Sequence, residues 1–136
     1  MTRPLIASLF ALSVAVPPSP ALAQEQALSL QLDSLAQVET ACRLTFVARN
    51  GFGSDLAALV VEAVAFDAEG GIAQISLLDL GALPSGSLRV RQFDLAGTAC
   101  DGIGSVLING VQRCEGADSC DSALSVSSRA GVELMK

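Results

Sequence analysis

Cys42-Arg43-Leu44-Thr45-Phe46-Val47-Ala48-Arg49-Asn50-Gly51 is the stretch from which the fold is read. Cys42, Leu44, Phe46 and Ala48 fall on one side of a period-two alternation, and Arg43, Thr45, Val47 and Arg49 fall on the other. That spacing predicts a half-buried strand beginning near Thr40. Asn50-Gly51 and Gly53-Ser54-Asp55 then end it in a loop.

Upstream, Leu28-Ser29-Leu30-Gln31-Leu32-Asp33 alternates in the same way, although Leu28, Leu32 and Leu35 also fit one face of a helix. Downstream, Leu56–Phe66 is the most apolar segment, with Glu62 as its single charge. Either Leu59, Val61, Ala63 and Ala65 or Val60, Val64 and Phe66 can be written as its buried face. A strand apolar on both faces is covered on both sides; a buried helix competes, since leucine, alanine and glutamate favour helix.

Asp67-Ala68-Glu69-Gly70-Gly71 reads as a hairpin turn, after which Ile72–Leu80 pairs back with Ile75 and Leu77 expected to face in. Leu83-Pro84-Ser85-Gly86 is a second break. Leu88 and Val90 are followed by Phe93 and Leu95, and this change of parity predicts a bulge near Gln92. Gly97–Gly104 reads as loop and Ser105–Gly110 as a strand with Val106 and Ile108 on one side. Asp121–Ser128 reads as another strand, continued past Gly131 by Val132-Glu133-Leu134. About seven short strands separated by turn signals predict an all-β, antiparallel, immunoglobulin-like sandwich.

Residues 1–23 read as a secretory signal peptide. Arg3 supplies the charge and Leu5–Val16 the apolar run; Pro17, Pro18 and Pro20 precede Ala21-Leu22-Ala23, with cleavage expected before Gln24. The run falls short of the roughly 20 apolar residues of a spanning helix, and no later segment is long and apolar enough. Its short form is bacterial, so the expected destination is the periplasm or the medium. Residues 24–136 then form a single β-sandwich domain.

Cys42, Cys100, Cys114 and Cys120 are an even set in an oxidising context, which predicts two disulfides. Three pairings exist. The turn-rich Glu115–Ser119 segment favours Cys114–Cys120, leaving Cys42–Cys100. On the chain-entropy model the short loop contributes about 2–2.5 kcal/mol and the long one about 4 kcal/mol. No Cys-x-x-Cys motif points to a redox pair, and no histidine is present to complete a mixed zinc site.

Without Arg3 the chain carries 7 basic and 14 acidic residues, a formal −7. This argues against nucleic acid and anionic lipid as partners. The chain has no histidine, tryptophan or tyrosine. It therefore lacks the usual general base and the aromatic platforms of sugar sites and protein hot spots. No Gly-x-Ser-x-Gly elbow occurs. Gly102-Ile103-Gly104-Ser105 lacks the lysine of a phosphate loop and reads as a bulge or tight turn. Glu115, Asp118 and Asp121, or Asp67 and Glu69, offer oxygens to a cation but lack the spacing of a dedicated calcium loop. Neither a catalytic residue nor a cofactor or metal ligand is expected. Arg89 and Arg91 share a strand face, and the choice there is between a solvated face guarding an edge and a partner surface.

The central stretch resembles small exported immunoglobulin-like domains of the FxLYD type. The residues concerned are Leu44-Thr45-Phe46-Val47-Ala48-Arg49-Asn50, Val64-Ala65-Phe66-Asp67-Ala68-Glu69-Gly70 and Leu83-Pro84-Ser85-Gly86. The chain is also similar to uncharacterised exported proteins of proteobacteria that combine a Cys-Arg-Leu-Thr-Phe strand with a Val-Leu-Ile-Asn-Gly strand, here Cys42–Phe46 and Val106–Gly110. The resemblance implies a sandwich and carries no site residues. The expectation is a non-enzymatic exported module that binds another envelope protein or a second copy; the alternative is a periplasmic binder of a small molecule or metal ion.

Overall fold

The computed structural model describes residues 15–17 and 27–136. The expected signal peptide and its cleavage position lie outside the described residues, apart from residues 15–17, which have no regular structure.

Eight strands follow one another: β1 (Leu28–Val38), β2 (Ala41–Asn50), β3 (Ala58–Asp67), β4 (Ile72–Asp79), β5 (Leu88–Leu95), β6 (Ile103–Glu115), β7 (Leu124–Ser128) and β8 (Glu133–Met135). A 3-10 turn, Cys100–Gly102, precedes β6, and a single helical turn, α1 (Cys120–Ala123), precedes β7. One sheet has the order β5-β2-β1-β7 and the other β4-β3-β6-β8. The chain crosses between layers after β2, β4, β5, β6 and β7, and the two layers make an immunoglobulin-like sandwich. Pairing is antiparallel except for β1 with β7 and β6 with β8, which are parallel. The parallel pairs arise because the last run is divided: β7 lies along β1, and the chain then turns into the other sheet as β8. Val132-Glu133-Leu134 therefore does not continue β7, and 121–123 are helical rather than the start of a strand.

The core lies between the sheets. Leu28, Leu30, Leu32, Cys42, Leu44, Phe46 and Ala48 of the first layer meet Leu59, Val61, Ala63, Ala65, Val106 and Ile108 of the second. Phe46 is fully buried and meets Phe93 edge to face at 6.1 Å between centroids. The inner face of β3 is the Leu59-Val61-Ala63-Ala65 set, and the helical alternative for this segment loses to strand pairing on both sides. The helix-like spacing of Leu28, Leu32 and Leu35 has a specific cause. A bulge at Asp33 rephases β1, so that Leu35 comes to lie opposite buried Leu44.

Two expectations are corrected. Ile75 and Leu77 face out, 56% and 64% exposed, because β4 pairs Ser76 with Ala63 and Leu78 with Val61, and directly opposed residues share a face. The expected bulge near Gln92 is absent: β5 runs against β2 in unbroken register from Cys42↔Leu95 to Arg49↔Leu88. Its parity change is real, with Leu88 and Val90 outward and Phe93 and Leu95 inward. The bulge foreseen at 102–105 does occur, at Gly104, where Phe66 pairs Ser105 and Asp67 pairs Ile103. A Cβ there would stand 2.7 Å from Asp67 O, so only glycine fits.

Both disulfides are formed as expected, and no described cysteine is free. Cys42–Cys100, with Cα atoms 4.9 Å apart, ties the start of β2 to the 3-10 turn. Cys114–Cys120, at 6.4 Å, ties the end of β6 to α1 rather than closing a hairpin. Two formed disulfides fit an exported protein.

Asn50 is the sole buried polar residue described. Its amide donates to Ser54 O (3.0 Å) and Leu83 O (2.8 Å) and accepts from Phe52 N–H (2.9 Å). It thereby locks the β2–β3 loop to the β4–β5 crossover, where Leu56 and Leu83 also exchange backbone bonds.

Candidate interaction surface

The outer faces of the two sheets differ. On the first, β1, β2 and β5 present Ser29, Gln31, Arg43, Thr45, Arg49, Gln92 and Asp94, with Ala36, Val38, Ala41, Val47, Leu88 and Val90 as the apolar exceptions. Arg43 grips Asp94 through two bonds of 2.7 and 2.9 Å. The hydrogen bond from Arg43 holds the Asp94 carboxyl below its ordinary pKa.

On the second sheet, the register aligns Ile75, Val64, Leu107 and Met135 in one row across all four strands. Ile72 and Phe66 extend it on one side, and Leu77 on the other. Val64 is only 5% exposed, shielded by its cross-strand neighbours, although it points away from the core. Glu62 is the charge within this face. Its carboxylate accepts from Asn109 Nδ2 at 2.6 Å, which draws it towards β6 and away from β4. This band makes the outer face of the second sheet the candidate contact surface.

The four edge strands are also unlike. β7 and β8 are short, at 5 and 3 residues, and lie at the same side of the sandwich, joined by the final turn. β5 carries Arg89 and Arg91 on its inward side, opposite Ala48 and Phe46. This departs from the solvated outer face that the sequence allowed. Arg91 donates to Leu80 O (2.8 Å) and Ala82 O (3.4 Å), so it braces the crossover. Arg89 donates to Leu88 O (2.8 Å). Inward-pointing charges are a recognised guard against edge pairing.

β4 carries no inward charge, and its bulge, at Ala73, is confined to its start. Ile72-Ala73-Gln74-Ile75-Ser76-Leu77-Leu78-Asp79 contains no proline and no basic residue, and its one charge is terminal. Its inward polar side chains are tied internally: Thr98 Oγ1 donates to Gln74 Oε1 (2.8 Å), and Gln74 Nε2 donates to Ser76 Oγ (3.2 Å). Sequence reasoning chose the arginines of β5 and missed β4, because it assigned Ile75 and Leu77 to the core.

A shallow cleft of about 330 Å³ lies at the Cys114–Cys120 loop, lined by Val111, Arg113, Asp118 and Asp121 among others. Asp121 Oδ1 accepts from Val111 N–H (3.1 Å), and Arg113 pairs with Glu115. Among the described residues, no group of acidic or cysteine side chains is placed to hold a metal ion, including Asp67, whose Oδ1 caps Glu69 and Gly71 N–H in the turn. No described helix is long and apolar enough to cross a membrane.

No protein-family model matches this chain, and no curated protein matches it. Its structure is similar to that of IrmA from Escherichia coli, with a TM-score of 0.58 at 10% identity over 73% of this chain and 89% of that one. At such low identity the likeness concerns the fold.

Proposed function

We propose that this chain is a non-enzymatic exported module that binds another envelope protein or supports an assembly, in the periplasm or the medium. The observation that carries the reading is the apolar row Ile75-Val64-Leu107-Met135 on the outer face of the second sheet, beside the β4 edge. A face built only to stay in water would alternate to polar residues, as β2 does with Arg43, Thr45 and Arg49. The absence of histidine from the sequence, and the engagement of Asp121 by the Val111 N–H, support a binding role over catalysis. The likeness of the central stretch to exported FxLYD-type domains is in keeping with it.

The test is crosslinking in living cells of the chain tagged after Lys136, followed by identification of what is captured. The expected result is one reproducible envelope protein, or the chain itself, in near-equal amount. Nothing captured, together with a thermal shift on addition of calcium, zinc, copper or a metabolite panel, would replace this reading with a ligand-binding one.

A further inference from the structure

We propose that β4 is a self-pairing edge, joining two copies of this chain antiparallel about a two-fold axis at Ser76 into one continuous eight-stranded sheet. The proposal deepens the reading of the chain as an interaction module and rests on it.

Backbone geometry supports the pairing first. Leu80 N–H donates to Leu59 O (2.8 Å), and β4 continues from there in unbroken register to Gln74. Alternation therefore turns the backbone groups of Leu78, Ser76 and Gln74 towards β3, and those of Asp79, Leu77 and Ile75 towards the open edge. An axis at Ser76 sets Ile75 opposite Leu77 of the second copy, and Leu77 opposite its Ile75. Both are residues whose N–H and C=O groups point outward, so each pair exchanges two backbone bonds. Gln74 then faces Leu78; regular pairing ends there, because Ala73 is the extra residue of a bulge, Ala65 pairing Gln74 and Phe66 pairing Ile72.

Charge decides the occupant. The chain is acidic overall, so two copies can meet only where acids are absent. In this register no like charges oppose one another, since Gln74–Leu78 carries no charge. β5, the other long edge, would bring Arg89 and Arg91 of two copies together. Stacking the second sheets face to face would bury both Glu62 carboxylates without a counter-charge, at a heavy desolvation cost. Edge pairing leaves them in water and joins the two apolar rows end to end. A paired length of five residues, Gln74–Leu78, is roughly 17 Å of strand. An interface that small sits at the low end of specific contacts, so the dimer is weak and concentration-dependent.

The experiment is sedimentation equilibrium of the exported protein from about 10 μM to about 1 mM, the range over which a small interface fills. The expected result is monomer passing to dimer. Leu77→Lys should weaken the dimer at least about tenfold, a loss equivalent to about 1.4 kcal/mol. Leu77→Pro should abolish it while leaving the β3–β4 bonds intact, because that N–H faces the open edge. Val90→Lys, equally exposed on β5, should leave it unchanged. A monomer throughout would overturn the proposal, and so would a dimer indifferent to both Leu77 variants or one lost on Leu107→Lys alone. A monomer that still captures an envelope protein in cells would overturn self-pairing and leave the proposed function standing.

Discussion

Asn50 does at the residue scale what the apolar core cannot: it fixes the position of two irregular segments relative to each other. Of its three hydrogen bonds, that to Leu83 is buried and those to Ser54 and Phe52 are partly buried, and no buried side-chain polar atom among the described residues lacks a partner. Asn50→Ala strands two carbonyls and one N–H. The expected loss is about 3 kcal/mol, read as a fall in urea midpoint with unchanged slope. Asp94 acts at the surface. Its carboxyl has a pKa below the ordinary 3.8 because Arg43 bonds the charged form. The sign follows: the pair's contribution is complete above that ordinary value and is lost as pH falls through the lowered one. Thermal unfolding of Asp94→Asn should therefore match the parent at low pH and fall below it at neutral pH. Equal differences at both pH values would contradict the assignment.

Strands were legible in the sequence wherever the period-two pattern had a polar side to contrast with, as in β2, where all four expected inward residues are buried. The pattern misleads where a bulge intervenes or where both faces are apolar. In β1 the extra residue Asp33 turned alternation into a helix-like spacing of leucines. In β4 the sequence offers Ile75 and Leu77 against Gln74 and Ser76, and hydrophobicity favours the wrong face. Register with β3, a long-range property, decides otherwise. The same ambiguity hid the candidate surface, since residues read as core cannot be read as contact. The arginines of β5 were visible, but their inward direction followed only from pairing with β2. The bulge at Gly104 brings a prediction of its own. With Asp67 O 2.7 Å and Ala68 Cα 3.1 Å from where a Cβ would stand, Gly104→Ala must push β3 and β6 apart at that end. A cost of about 2 kcal/mol is expected by chemical denaturation, whereas Gly53→Ala, with open space around it, should be silent.

As a whole the molecule is a sandwich closed on one side and open on the other. β7 and β8 seal the first side by sharing one divided run, and the Cys114–Cys120 bond anchors α1 just before it. On the second side β5 is guarded by Arg89 and Arg91, with Arg91 latched onto the crossover, while β4 presents bare backbone and apolar side chains. This asymmetry is the centre of the account: association happens at β4 and nowhere along β5. Amide hydrogen exchange at low and high protein concentration tests it most directly. The Ile75 and Leu77 amides are predicted to exchange more slowly as concentration rises, while those of Arg89–Asp94 do not change. Unaltered β4 amides at every concentration, or slowing confined to β5, would contradict it.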